Sequence, residues 1–154
     1  VDNKNVLSSI IKGLIDSNEN IIFPIHPRTK KRLYEFGLYD KLSQNNNIQI
    51  LDSVGYFDIL ELMKNCSFIL TDSGGIQEEA TSPVIRKKVL VVRKTTDRPE
   101  AVESNLAKII GLDEKIISKS IKKTMMDPKL YSKKTPYGKG NASGKILKLL
   151  QKHF

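Results

Sequence analysis

Apolar positions recur along the 154-residue chain in two alternating rhythms: helical spacing of three and four, and short continuous runs. Val6, Ile10, Leu14 and Ile15 mark a first helix, with Asn3 placed to cap it and Asn20 to end it. The run IIFPI follows and is bounded by His26-Pro27. Thr29 to Phe36 reads as a second helix closed by Gly37, and Asn45-Asn46-Asn47 as a loop tip before a short strand, Ile48 to Leu51. Asp58 is placed to cap the helix ILELMKNC, in which Ile59, Leu62 and Met63 form one face. SFILT is a strand of the buried type, broken by Asp72-Ser73-Gly74-Gly75 and followed by the helix IQEEA. KVLVV is a second buried strand, Leu106 to Ile110 a weaker one, and Asp113 to Met126 a helix stopped by Asp127-Pro128. Gly138 to Gly140 makes a turn before a last helix, Ala142 to Gln151.

Buried strands alternating with helices predict an α/β fold: a doubly wound parallel sheet with helices on both faces and right-handed crossovers. The length suits a single domain over residues 1–154, with the last helix, about 141–152, packing at its edge. In such sheets ligands lie outside the carboxyl ends of the strands. Every chemically suggestive stretch of this chain falls at such an end.

Composition adds bounds. With 39% apolar and 28% charged residues the chain reads as globular, not disordered. No apolar run approaches the roughly 20 residues of a membrane span. No signal peptide is visible, and the chain opens on Val1 rather than Met, which reads as a piece cut from something longer. The net charge of +9 is unevenly placed: residues 115–154 hold 11 lysines against one acid, Asp127, while residues 1–114 hold 15 bases and 16 acids. The excess therefore reads as a solvated lysine-rich face, and the expectation is no nucleic-acid and no membrane partner. Cys66 is alone, so there is no disulfide framework and no thiol metal site, and a cytoplasmic location is expected.

Five stretches are candidates for chemistry. Ser73-Gly74-Gly75 sits between a strand and a helix, where free N–H groups and the helix dipole suit a phosphate or diphosphate; a mere tight turn reads equally well. It is not a P-loop, since no Lys-Ser/Thr follows, and not a dinucleotide fingerprint, since the third glycine is missing. Glu78 and Glu79 fit helix capping, or one of them fits a pair of ribose hydroxyls. Arg98, in RKTTDRPE after KVLVV, suits phosphate with its planar fork, or an ion pair to Asp97 or Glu100. His26 stands at a strand end, where a lone histidine is more often structural. Tyr56 to Ile59 opens a helix and reads as core packing or as the cover of a nucleobase.

TDSGGIQEEA followed by VLVVRKTTDRPEAVES closely resembles the UDP-N-acetylglucosamine 2-epimerases, supported by His26-Pro27, GYFDILELMKN at 55–65 and PYGKG at 136–140. The resemblance covers essentially the whole chain but only the second half of such an enzyme. It implies a Rossmann-like domain, the carboxyl-terminal half of a two-domain glycosyltransferase-B arrangement with the active site in the cleft, and Val1-Asp2 falling just after the family's His-Arg motif. The family interconverts UDP-GlcNAc and UDP-ManNAc without an added cofactor, by loss of the C2 proton with anti elimination of UDP and its re-addition; a related branch adds water and releases ManNAc. Its acid and base carboxylates lie mainly on the amino-terminal domain, so no general base is assigned here. What carries over is the nucleotide half of the site. Ser73, Gly74 and Gly75 match the diphosphate turn, Glu79 the ribose carboxylate, Arg98 a cleft arginine near the phosphates, and Tyr56 and Ile59 the stretch covering uracil. His26 matches a cleft histidine that in bacterial members contacts a second, regulatory UDP-GlcNAc. A homodimer and a role in cell-envelope polysaccharide synthesis are also implied.

The chain departs from the family pattern in places. TSPVIRKKVLVV is longer than the usual S-x-G-K-P-V-L-V and lacks its Gly and Pro, Asn105 stands where Gly is common, and Lys139 where Asp is common. Competing readings are a UDP-sugar glycosyltransferase domain, a non-catalytic UDP-sugar-binding module and, last, a nucleic-acid binder.

Overall fold

The computed structural model describes residues 2–52 and 54–153; Val1, Ser53 and Phe154 lie outside it. The elements in order are α1 (Lys4–Ser17), β1 (Ile21–Pro24), α2 (Pro27–Glu35), α3 (Tyr39–Ser43), β2 (Ile48–Leu51), α4 (Tyr56–Asn65), β3 (Ile69–Thr71), α5 (Gly74–Ala80), β4 (Val89–Val91), α6 (Pro99–Glu103), β5 (Ala107–Ile109), α7 (Glu114–Met126) and α8 (Ala142–His153). Every ladder among the described residues is parallel, a pairing that needs crossover connections, which the intervening helices supply. Among the described residues the strands do not form one continuous ladder, however: β1 pairs with β2, and β3-β4-β5 make a separate set.

What joins the two sets is packing. Strand β4 is buried on both sides, and its side chains alternate between two cores because successive strand residues point to opposite faces. Leu90, joined by Val92 just past the strand, enters a core with Leu7, Ile11 and Leu14 of α1, Ile117 and Ile121 of α7, Ile48 of the first ladder and Ile25 just after β1. Val89 and Val91 enter the other core, with Met63 of α4, Ala80 of α5 and Ala101 of α6. Helices therefore cover both faces of β4. Helices α1 and α7 meet at Gly13, where an added Cβ would lie 2.8 Å from Ile117 Cβ and 2.9 Å from the Glu114 carbonyl oxygen, so only glycine permits this approach.

Several local expectations are corrected. Helix α1 ends at Ser17, with Asn18 in the left-handed conformation, because an asparagine cap at Asn18 stops it two residues before Asn20. Helix α4 starts at Tyr56, so Asp58 lies inside its first turn and its carboxylate reaches back to accept from the Gly55 N–H at 3.2 Å. Helices α3 and α6 have five residues each, too few to show a period in the sequence. Helix α8 forms, but residues 142–152 are all exposed, Ile146, Leu147, Leu149 and Leu150 included, so it does not pack on the domain edge.

The departures from the family pattern have a backbone explanation. Counted back from VLVV, Arg86 holds the place of the missing Gly; it adopts φ +53°, and its guanidinium donates to the Ser132 carbonyl. Asn105 adopts φ +58°, a conformation asparagine tolerates better than most residues. The turns survive the loss of their glycines.

Candidate functional site

Strand β3 ends at Thr71, and two residues later Ser73 caps α5. The Ser73 hydroxyl oxygen accepts from the Ile76 N–H at 3.4 Å, and the Ser73 N–H donates to Thr71 Oγ1 at 3.0 Å. The serine is thereby fixed with its hydroxyl hydrogen free to donate outward. The first N–H groups of a helix have no acceptor within it, so the Gly74-Gly75 backbone presents donors with no side chain in the way.

The loop that leaves β4 faces this turn. Arg98 caps α6, and Pro99 occupies its first position. A Cβ on Gly74 would lie 3.4 Å from Asp97 Oδ2 and 3.5 Å from Arg98 Cζ, so the glycine turn and the guanidinium stand face to face. Arg98 donates through Nε to Glu78 and through Nη1 to the Asp97 carbonyl at 2.9 Å, while Arg93 Nη1 donates to Asp97 Oδ1 at 2.7 Å. The hydrogen bond to Glu78 raises the Arg98 pKa, which keeps it charged. Its own backbone N–H and the charges of Arg93 and Arg98 hold the Asp97 carboxyl below the usual carboxylate range. Glu100, the other expected partner of Arg98, accepts instead from the Tyr137 hydroxyl at 3.3 Å.

This arrangement separates the two glutamates, which their position in the helix alone leaves equivalent. Glu78 pairs with Arg98. Glu79 Oε2 is shielded from solvent and has no hydrogen-bond partner among the described residues. A sheltered carboxylate oxygen without a donor is costly, and it fits a donor supplied by a ligand.

One residue of the site is missed by sequence reasoning. Gln77 is fully buried; its Nε2 donates to the Ser73 carbonyl at 3.2 Å and its Oε1 accepts from Thr96 Oγ1 at 2.8 Å. Thr96 Oγ1 in turn accepts from the Arg98 N–H at 3.1 Å. A glutamine in a short helix carries no signal of burial, and the amphipathic pattern of a seven-residue helix is too brief to betray it.

The remaining candidates lie at the ends of β1 and β2. His26 is exposed, and its Nδ1 accepts from the Arg28 N–H at 3.2 Å, so it caps α2. Tyr56 is 60% exposed and meets Phe57 edge to face at 5.8 Å. Ile59 is half-buried against the core that contains Met63. The structure thus brings Ser73, Gly74 and Arg98 together; His26 stands apart at the end of β1, and Tyr56 and Ile59 lie on α4, whose Ile59 packs against the core under β3, β4 and β5. A shallow depression of about 270 Å³ opens next to the β3 and β4 ends, lined by Asp72, Val92, Arg93 and Thr95 with Val6 and Ile10 of α1. A second, of about 370 Å³, lies between Asp16 and the α7 lysines Lys115, Lys119 and Lys122, so the basic excess of α7 sits by the end of α1 that feeds β1. Among the described residues no three His, Cys, Asp or Glu side chains gather as metal ligands, and no helix is long and apolar enough to cross a membrane.

A parallel α/β domain whose glycine turn opens a helix opposite an arginine, with an orphan carboxylate one turn on, defines a domain suited to an anionic, hydroxyl-bearing ligand. The family model for UDP-N-acetylglucosamine 2-epimerase matches residues 1–151, and the chain belongs to that family. A UDP-N-acetylglucosamine 2-epimerase of Methanocaldococcus jannaschii is 42% identical over 154 residues, covering 97% of this chain and 41% of the relative. The crystal structure of the Methanocaldococcus jannaschii enzyme in complex with UDP-GlcNAc and UDP superposes with a TM-score of 0.87 at 40% identity, over 99% of this chain and 42% of that one. The Neisseria meningitidis UDP-GlcNAc 2-epimerase bound to UDP-GlcNAc gives a TM-score of 0.77 at 35% identity, over 97% and 40%. The chain therefore spans about two fifths of the length of these relatives.

Proposed function

We infer that this chain supplies the UDP-binding half of a UDP-N-acetylglucosamine 2-epimerase, which interconverts UDP-GlcNAc and UDP-ManNAc by elimination and re-addition of UDP. In this reading the chain is a Rossmann-like, doubly wound domain of a two-domain glycosyltransferase-B enzyme. The missing amino-terminal part completes the cleft and brings the acid and base carboxylates, and the full enzyme works as a cytoplasmic homodimer in cell-envelope polysaccharide synthesis. The chain alone does not turn over substrate.

The observation that carries this reading is the shielded, unpartnered Glu79 Oε2 one turn beyond a glycine turn that faces Arg98. The Ser73-Gly74-Gly75 donors and Arg98 take the diphosphate, whose charge suits both the helix start and the guanidinium fork. The two ribose hydroxyls donate to Glu79. Tyr56, exposed at the mouth of α4, covers the uracil with Ile59 behind it, and His26 offers its free Nε2 at the rim. Diphosphate entry requires Arg98 to exchange part of its pairing with Glu78 and Asp97 for the phosphates, a change between charged partners that keeps the guanidinium neutralised.

Calorimetric titration of UDP into the protein and its Glu79→Ala and Arg98→Ala variants tests the reading. Binding by the parent protein that weakens at least tenfold in each variant is expected; a folded parent protein that does not bind UDP refutes it.

A further inference from the structure

The relay from the Ser73 carbonyl through the Gln77 amide and the Thr96 hydroxyl to the Arg98 N–H connects the two halves of the proposed phosphate site. Its direction is fixed by chemistry. The Ser73 carbonyl can only accept, so Nε2 of Gln77 must face it, and Oε1 is left to face Thr96. Thr96 Oγ1 already accepts from the Arg98 N–H, so its hydrogen is free to donate to that oxygen. Each atom has one arrangement that satisfies it.

The relay differs from the other links between α5 and the arginine loop. The Arg98–Glu78 and Arg98–Asp97 pairs have half-exposed partners and are exchanged when a phosphate arrives. Gln77 is fully buried, so its bonds are not open to competition from solvent or ligand. The backbone it supports is otherwise irregular: Arg98 sits at φ −127°, ψ 61°, just before Pro99 begins α6.

We propose that Gln77 is a positioning residue: resting on the UDP reading of the site, it holds the Arg98 loop at a set distance from the Ser73-Gly74-Gly75 turn, so that one diphosphate reaches the turn's N–H groups and the guanidinium at once. Gln77 touches no ligand in this scheme. It acts through Thr96, and the two behave as one unit.

The test compares UDP with uridine, which lacks the phosphates, by calorimetry on the parent protein and on Gln77→Leu, Thr96→Val and the double variant, with melting curves to establish folding. UDP affinity falls roughly tenfold in Gln77→Leu and in Thr96→Val, the double variant is no worse than Gln77→Leu, and uridine affinity does not change. Gln77→Glu adds a signature that packing alone does not produce. A protonated carboxylic acid supplies one donor and one acceptor, the pair the amide uses in this relay, so its UDP deficit relative to the parent narrows as the pH is lowered, while that of Gln77→Leu stays constant. If Gln77→Leu fails to fold, the near-isosteric Thr96→Val decides. UDP affinity unchanged in folded Thr96→Val, or UDP and uridine weakened equally, overturns the proposal while the UDP reading stands. A parent protein that binds UDP no better than uridine overturns both.

Discussion

Replacing Gly74 by alanine separates what the fold needs from what the ligand needs. Gly74 opens α5 and lies outside the left-handed region, so its backbone accepts alanine. The new Cβ would stand 3.4 Å from Asp97 Oδ2 and 3.5 Å from Arg98 Cζ, which is ordinary contact. With no clash to oppose it, Gly74→Ala stabilises the protein by about 0.4–1 kcal/mol through the entropy of the unfolded chain. In a domain of this size that raises the melting temperature by up to about 4 °C. The same methyl group fills the gap between the turn and the guanidinium that a diphosphate has to enter. A phosphate held off by one methyl loses a charge-assisted hydrogen bond to the turn or to Arg98, worth about 1.5–3 kcal/mol, which is roughly a 10- to 150-fold loss of UDP affinity. Differential scanning fluorimetry reads the first effect and calorimetric titration with UDP the second. Unchanged UDP affinity in a folded Gly74→Ala protein refutes the placement of the diphosphate. A loss of stability above about 1 kcal/mol refutes the steric account of the turn.

Three further outcomes follow from the same geometry. Gly13→Ala sets helix propensity, worth about 1 kcal/mol in favour of alanine, against contacts at 2.8 and 2.9 Å with Ile117 and the Glu114 carbonyl; the clash wins, and urea denaturation shows a net loss of about 1 kcal/mol. Asn105→Ala puts a Cβ-bearing residue without a local hydrogen-bonding side chain at φ +58° and lowers stability by about 1 kcal/mol, whereas Asn105→Gly does not. For Asp97, whose folded pKa is depressed, the unfolded chain is half protonated at pH 3.8 while the folded one is still mostly ionised. Its stabilising contribution is therefore full above that value and is lost as the pH falls through the lower folded pKa. Acid unfolding curves of the parent protein accordingly show a decline below pH 3.8 that Asp97→Asn flattens.

The order of the longer elements, and the turn and loop that form the candidate site, are legible in the sequence because they rest on local signals. The runs IIFPI, SFILT and KVLVV contain strands β1, β3 and β4, and 48–51 is β2. Asn3, Ser73 and Asp113 cap helices because a short oxygen-bearing side chain there satisfies N–H groups two or three residues on. DSGGIQEE and TTDRPEAV mark the turn and the arginine loop. Where glycine is replaced, at Arg86 and Asn105, the sequence shows a departure but not that the chain keeps the left-handed turn with other residues.

What depended on tertiary structure is whatever pairs distant residues. The difference between Glu78 and Glu79 lies in a partner twenty residues away, Arg98, which takes the first and leaves the second with an orphan oxygen. The role of Gln77 lies nineteen residues away in Thr96. The closeness of α1 and α7 is recorded by Gly13, yet the glycine's meaning needs Ile117 on the opposing helix. The exposure of α8 contradicts its amphipathic pattern, because a pattern states which face prefers burial and not whether a partner surface is there to bury it. Local chemistry, capping and strand periodicity act within a few residues and are written in order along the chain. Hydrogen-bond partners and contact surfaces are brought together only by folding, and on them rests the geometry of the site.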